Sequence, residues 1–328
     1  MKNKKKKGRT LTLVLICVAV VIALYFAVSL LAAPVFYPGF YKKSEKVCTI
    51  PDLWRDFIPQ GVTLTDSGKV LICGYSSGSE PSRIYRIDDG KAVKILLNKE
   101  DGSRYTGHAG GITARGKYVY ISNASKIFVL DSSDVENAKD GDVLGFIGHF
   151  EVPCRSSFCS SGPDGLLVGE YHADGSETDA SHEITTPDGS LHAAMIFLYA
   201  FSDDAEFGVL SDAPLRAYSV KDKVQGAAFA GSGKMALSCS GGLQSSGMYF
   251  YSVDGEPDAE TRIGRYKLPT FILDSKRLAG SVKTPHMSED IEYRDGEIYI
   301  GFEAGAKKYG AGLLPFSVRS VRKYAPEN

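Results

Sequence analysis

The six cysteines of this 328-residue chain include no C-x-x-C pair, which excludes a zinc ribbon and a thioredoxin-like redox site. It has no Pro- or Ser-rich linker, and no low-complexity tract beyond its first nine residues. Everything after the N-terminal segment therefore reads as one body. The glycine-rich runs lack the strand-to-helix context and the lysine of a phosphate loop, and no strand–turn–helix nucleophile elbow can be placed. Cations are also scarce outside the N-terminus. Lys2, Lys4, Lys5, Lys6, Lys7 and Arg9 account for six of the 38 Lys and Arg, leaving 32 against 39 Asp and Glu. That balance excludes a basic footprint for nucleic acid.

What is present begins with an uncharged apolar run over residues 10–33. Roughly 20 apolar residues cross a hydrocarbon core, so the run is long enough to span. The basic flank predicts a single-pass signal-anchor in the cell membrane, with residues 1–9 as a cytoplasmic tail and the rest extracytoplasmic. Residues 34–44 read as a stalk and residues 45–328 as the exported domain. Cleavage near Leu31-Ala32-Ala33 is the alternative, although the apolar region of a cleaved signal usually runs only about 7–15 residues.

The exported part repeats one phrase five times: a polar start, an apolar strand, a Gly-centred turn and a second apolar strand. The starts are at Gln60, Gly110, Ser156, Gln225 and Glu289. A strand-only unit recurring every roughly 45 to 70 residues predicts a β-propeller. Five blades are expected, with six as the fallback, because the longest step holds a polar insert, Tyr171 to Ser190, rather than extra strands. Outer strands are read at Arg83–Asp88 with Ala92–Leu96, and at Lys126–Asp131 with Leu144–Ile147. Later pairs are Ala194–Tyr199 with Leu215–Tyr218, and Met248–Val253 with Arg262–Tyr266. The last blade lacks one strand, which Lys46–Ile50 is expected to supply, joining the chain ends and removing an open edge.

The segments Pro59-Gln60-Gly61, Ala109-Gly110-Gly111, Val224-Gln225-Gly226 and Ser288-Glu289-Asp290-Ile291 give residues 45–328 a resemblance to a broad propeller group. That group includes gluconolactonase-like, strictosidine-synthase-like and quinoprotein-like domains, and the chain is also similar to exported propellers of bacteria. Lactonase-like members hold a central divalent ion with acidic and amide side chains at such strand starts. The resemblance therefore implies Ca2+ or another divalent cation near Glu289 and Asp290. The chain departs from that pattern with Gln60 where the first-blade motif suggests Glu, and with one blade fewer.

In a propeller the starts of the inner strands and the ends of the second strands share one face. That face is expected to gather Gln60, His108, Gln225, Glu289 and Asp290 with Tyr75, Asn123, Glu170 and Glu303. Their oxygen-rich side chains suit calcium; equally, such groups can simply satisfy buried backbone. The insert carries His172 and His182, with His192 beyond, among several carboxylates. It reads as a ligand-contacting loop, a metal site or a solvated loop. His286, just before Glu289, and His108 are the acid–base candidates. Cys154 and Cys159 are close enough in sequence to bridge in an oxidising compartment. The expected function is ligand or envelope-partner binding at the channel mouth, the ligand being a glycan, a peptide or a small metabolite. The alternatives are a divalent-metal-dependent hydrolase or lactonase, and an architectural envelope protein.

Overall fold

The computed structural model describes residues 2–176, 178–231, 233–310 and 314–326; for residues 2–9 and Leu30 it describes the backbone alone. The basic tail expected at residues 1–9 thus lies outside the described side chains. A helix, Lys2–Phe36, opens the chain. Its segment Thr10–Phe36 contains an 18-residue stretch of mean hydropathy 3.0 and is long and apolar enough to cross a membrane once.

The remainder is a five-bladed propeller. Blade 1 runs Phe57–Leu64, Val70–Ser76, Arg83–Asp88 and Lys91–Asn98, each strand antiparallel to the last. Blade 2 is Gly111–Arg115, Tyr118–Asn123, Lys126–Asp131 and Gly148–Glu151. Blade 3 is Ser156–Gly162, Gly165–Glu170, Ala194–Tyr199 and Arg216–Val220. Blade 4 is Val224–Phe229, Lys234–Cys239, Ser246–Ser252 and Leu278–Thr284. Blade 5 is Ser288–Arg294, Glu297–Phe302 and Ser320–Tyr324, completed by Ser44–Thr49 from the other end of the chain. Each innermost strand packs on the next and the fifth packs on the first, which closes the ring.

Alternating β-branched and aromatic residues put side chains on both faces of every blade, and neighbouring blades bury them between one another. Ile58, Val62 and Ile72 of blade 1 share a cluster with Val321 of blade 5, for example. All eight residues of Phe57–Leu64 are buried.

Two outer strands differ from the sequence expectation. Val143–Gly145 pairs in parallel with blade 1, and blade 2 takes Gly148–Glu151 instead. Likewise Ala259–Ile263 and Tyr266–Ile272 form a hairpin on the outer edge of blade 3, leaving Leu278–Thr284 to finish blade 4. Gly264, at φ 55°, makes the expected strand Arg262–Tyr266 the turn of that hairpin.

The expected stalk is docked rather than extended. Its aromatic residues are the cause: Tyr37 and Phe40 are buried, Phe40 stacks on Tyr324 at 5.9 Å, and the Tyr37 hydroxyl meets Ser245 Oγ at 3.2 Å. All six cysteines are free thiols. Cys154 and Cys159 are buried in one apolar cluster without bridging, in the manner of small hydrophobes.

Candidate functional site

Four of the five inner strands carry a β-bulge at the same place. The register shifts fall between Pro59 and Gly61, Ser156 and Phe158, Val224 and Gly226, and Ser288 and Ile291. A bulge leaves its extra residue unpaired and re-aims the side chain. The residues so released are Gln60, Ser157, Gln225 and the pair Glu289 and Asp290. In blade 2 the equivalent position is Gly110, where a Cβ would lie 2.1 Å from the Ser157 carbonyl oxygen. Only glycine allows the two inner strands to approach so closely.

Below the bulges, blade 5 plugs the axis. Asp290 is wholly buried. Its Oδ1 accepts from the Ile291 amide at 2.9 Å and its Oδ2 from the Ile112 amide at 3.3 Å. Glycines make room for it, since a Cβ on Gly111 would sit 2.6 Å from Oδ2 and one on Gly226 2.9 Å from Oδ1. Two residues on, Glu292 Oε2 accepts from Thr63 at 3.2 Å and Thr113 at 2.7 Å, and Thr113 in turn meets Ser161 Oγ at 2.8 Å. Burial pushes Asp290 well above the usual carboxylate range, reinforced by the charge of Glu292. Burial raises Glu292 to about 7 against the pull of its Thr113 bond. One strand thus supplies the carboxyls that fill the centre of the ring.

At the mouth the arrangement changes. Glu289 lies beside Glu303, and burial first, then the charge of Glu303, raises Glu289 far above the ordinary range. Burial raises Glu303 too, against its bond from Tyr309. Burial and proximity both favour uptake of a proton by the pair. Glu303 Oε2 accepts from Gln60 Nε2 at 3.1 Å and from the Tyr309 hydroxyl at 2.9 Å. Glu289 Oε1, however, is buried with no hydrogen-bond partner. Tyr171 lies close enough for both carboxylates to raise its pKa after burial has done so. Beside the pair, Lys308 Nζ contacts the Tyr75 hydroxyl at 2.6 Å, and Tyr75 stacks on His108 at 4.5 Å. The His108 amide donates to Asn123 Oδ1 at 3.0 Å. His286 is buried, its Nε2 is also without a partner, and burial lowers its pKa, so it is neutral at pH 7.

Of the residues singled out from the sequence, Gln60 is bonded to Glu303 with Glu289 beside it, and Tyr75, His108 and Asn123 form a second group. Gln225 occupies the bulge of blade 4, half-buried. Glu170 is not at the mouth. It is buried against His182 Nδ1 at 2.5 Å and the Met195 amide at 3.1 Å, and so pins the insert to blade 3. His172 pairs with Asp222 at 2.7 Å, and His192 Nδ1 meets Ser219 Oγ. The three histidines of the insert therefore have separate partners and share no site. Sequence reasoning missed Tyr309, Lys308 and Tyr171. The first two sit in one of the glycine-rich runs to which no chemistry was given, although Lys307-Lys308-Tyr309 follows Glu303 by only a few residues. It also passed over Gly74-Tyr75-Ser76-Ser77-Gly78, which has the spacing of a nucleophile elbow. That strand ends in a bend without a helix, and Ser76 Oγ is held by Asp56.

The donor set does not suit a divalent ion held between Glu289 and Asp290. Both Asp290 oxygens are taken by backbone amides, whereas Glu289 turns to Glu303. Among the described residues no group of three or more His, Cys, Asp or Glu side chains comes together as a metal site.

No family model matches the chain, and no curated protein matches it. It does resemble solved structures. One is the PQQ-bound aldose sugar dehydrogenase of Streptomyces coelicolor, at 18% identity over 79% of this chain and 76% of that one, with a TM-score of 0.39. Another is an oxidoreductase described as a glucose dehydrogenase from Thermus thermophilus, at 12% identity over 86% and 99%, with a TM-score of 0.41. The blade count rests on the chain's own strand pairing, and no residue role is carried over from such distant likenesses.

Proposed function

We propose that this chain is a membrane-anchored, extracytoplasmic propeller whose channel mouth binds a small neutral polyhydroxyl ligand, a sugar or polyol. The observation that carries the reading is Glu289 Oε1, a buried carboxyl oxygen with no partner beside a second carboxyl. Buried polar atoms are rarely left unpaired unless something completes them. A carboxyl pair with a raised affinity for a proton can present both a donor and an acceptor, as a hydroxyl-rich ligand requires. Gln60, Tyr309 and Tyr171 add further polar groups, and the Tyr75–His108 stack borders them. A few convergent polar groups flanked by aromatic rings on a rigid scaffold make a typical small-ligand site.

Hydrolysis at the same mouth draws no support from the geometry. His108 is stacked against Tyr75, and His286 has no carboxylate partner among the described residues. The deciding experiment is calorimetric titration of the full chain in detergent with a panel of monosaccharides, disaccharides and polyols, alongside Glu289→Gln. A binder should raise the melting temperature of the parent, by about 2.7 kcal/mol of stabilisation at a hundredfold excess over Kd, and lose most of that effect in the variant. Absence of any binder, or equal binding by the variant, overturns the reading.

A further inference from the structure

The N-terminal helix is exposed along most of its length, but Phe26, Ser29 and Ala32 are half-buried and Ala33 is buried. Their spacing of three or four residues places them on one face. That face stands over the outer edge of blade 5, and between the two lies a cleft of about 400 Å³. Phe26, Ala33, Phe316 and Val318 form apolar walls. Lys46, Arg319 and Arg322 stand on its rim, and no Asp or Glu lines it among the described residues. The Arg319 guanidinium lies 5.8 Å from the Phe26 ring and 4.6 Å from that of Trp54, and burial lowers its pKa. Arg322 lies over Tyr41 at 4.9 Å and donates to the Ser44 carbonyl.

Charge on the two segments that build this edge runs against the rest of the domain. Residues 42–55 and 304–324 together hold nine Lys and Arg and two Asp and Glu, whereas the remaining chain beyond Arg9 holds 23 and 37. The level is also right. At 1.5 Å per residue the 27 residues of Thr10–Phe36 extend ~40 Å, against a hydrocarbon core of ~30 Å. Counting from Thr10, the core is crossed by about residue 30. A cleft beside Phe26 to Ala33 therefore straddles the boundary between acyl chains and headgroups.

We propose that this cleft is a binding site for one anionic phospholipid of the leaflet on the propeller side. An acyl chain lies between the helix and blade 5, and the phosphate sits on Lys46, Arg319 and Arg322. Guanidinium groups suit phosphate oxygens, and basic pockets beside membrane helices bind lipid headgroups on the same principle. The proposal rests on the membrane-anchored reading above. The two sites are close in sequence, since Tyr309 reaches the mouth carboxyl and Phe316, seven positions on, lines the cleft. An occupied cleft would hold the ligand-binding mouth close to the bilayer.

Trp54 is the chain's single tryptophan, so its fluorescence reports on Arg319 without substitution. The full chain is reconstituted in phosphatidylcholine vesicles, and a fraction of the lipid is replaced by phosphatidylglycerol or phosphatidylcholine with brominated acyl chains. Brominated phosphatidylglycerol should quench Trp54 saturably, brominated phosphatidylcholine at the same fraction should not, and Lys46→Gln with Arg322→Gln should raise the midpoint about tenfold or more. Soluble glycerophosphate should neither displace the lipid nor change the emission. Displacement by glycerophosphate would reassign the cleft to a free phosphate. Equal or non-saturating quenching by both lipids would reduce it to a wet surface. Extraction of the chain from the vesicles by alkaline carbonate would overturn the membrane-anchored reading and the lipid site together. Firm integration without selective quenching would overturn the lipid site alone.

Discussion

Glu289 and Asp290 are neighbours in one bulge, yet they meet opposite fates. The Asp290 carboxyl turns down the axis, where backbone amides cap both of its oxygens and glycines clear its space. Glu289 turns to the mouth, finds another acid and keeps an oxygen without a partner. Both are buried, and both are held far above the normal carboxylate range by burial first. The difference is satisfaction. A buried carboxyl whose acceptors are filled by the fold is part of the core, whereas one left short of donors is a place for something else to bind.

The sharpest way to break this contrast is to crowd the axis. Gly111→Val places a side chain onto Asp290 Oδ2 and the Cys159 amide. It should cost about 3 kcal/mol or more, measured as a fall in the denaturant midpoint or as loss of folded protein. Next is Glu292. Its carboxyl rises from 4.5 to about 7 on folding, so the native chain keeps a proton that the unfolded chain releases between those values. Its contribution to stability is therefore greatest below pH 4.5, declines as pH rises, and levels off above 7, a change of ~3 kcal/mol. Melting curves of the parent and Glu292→Gln across pH 4 to 8 should diverge in that sense, and parallel curves would mean Glu292 is not proton-linked. Asp290→Asn sets an NH2 group against amide donors and should cost roughly 1–3 kcal/mol by chemical denaturation. His182→Ala leaves Glu170 Oε1 with only the Met195 amide, for ~1–2 kcal/mol. Glu289→Gln should be the mildest, within ~0.5 kcal/mol, while removing ligand binding. If it costs as much as Asp290→Asn, the distinction between mouth and axis is lost.

The ring was legible because its signal is repeated. Five Gly-turned strand pairs fix five inner hairpins, and the shortfall after Phe302 pointed to Lys46–Ile50 as the closing strand. Outer strands were harder, because Arg262-Ile263-Gly264-Arg265-Tyr266 has strand composition whichever blade it joins, yet it forms the turn of a hairpin. At the site, Gln60, Glu289 and Glu303 could be placed on one face from strand order alone. That Asp290 parts from Glu289 could not, because alternation in a strand does not say where a bulge will reset it. The docking of Tyr37 and Phe40 was hidden for a different reason, since a short aromatic segment after an apolar helix has no periodicity to read.

Blade 5 has one further consequence, in the timing of biogenesis. Ser44–Thr49 is among the first parts of the domain to leave the ribosome, and its partner Ser320–Tyr324 is among the last. The early strand must wait, with its backbone edge uncovered, until nearly the whole propeller has been made. Ring closure is thus a late event, and a chain truncated anywhere before Tyr324 has no complete fifth blade to lock it.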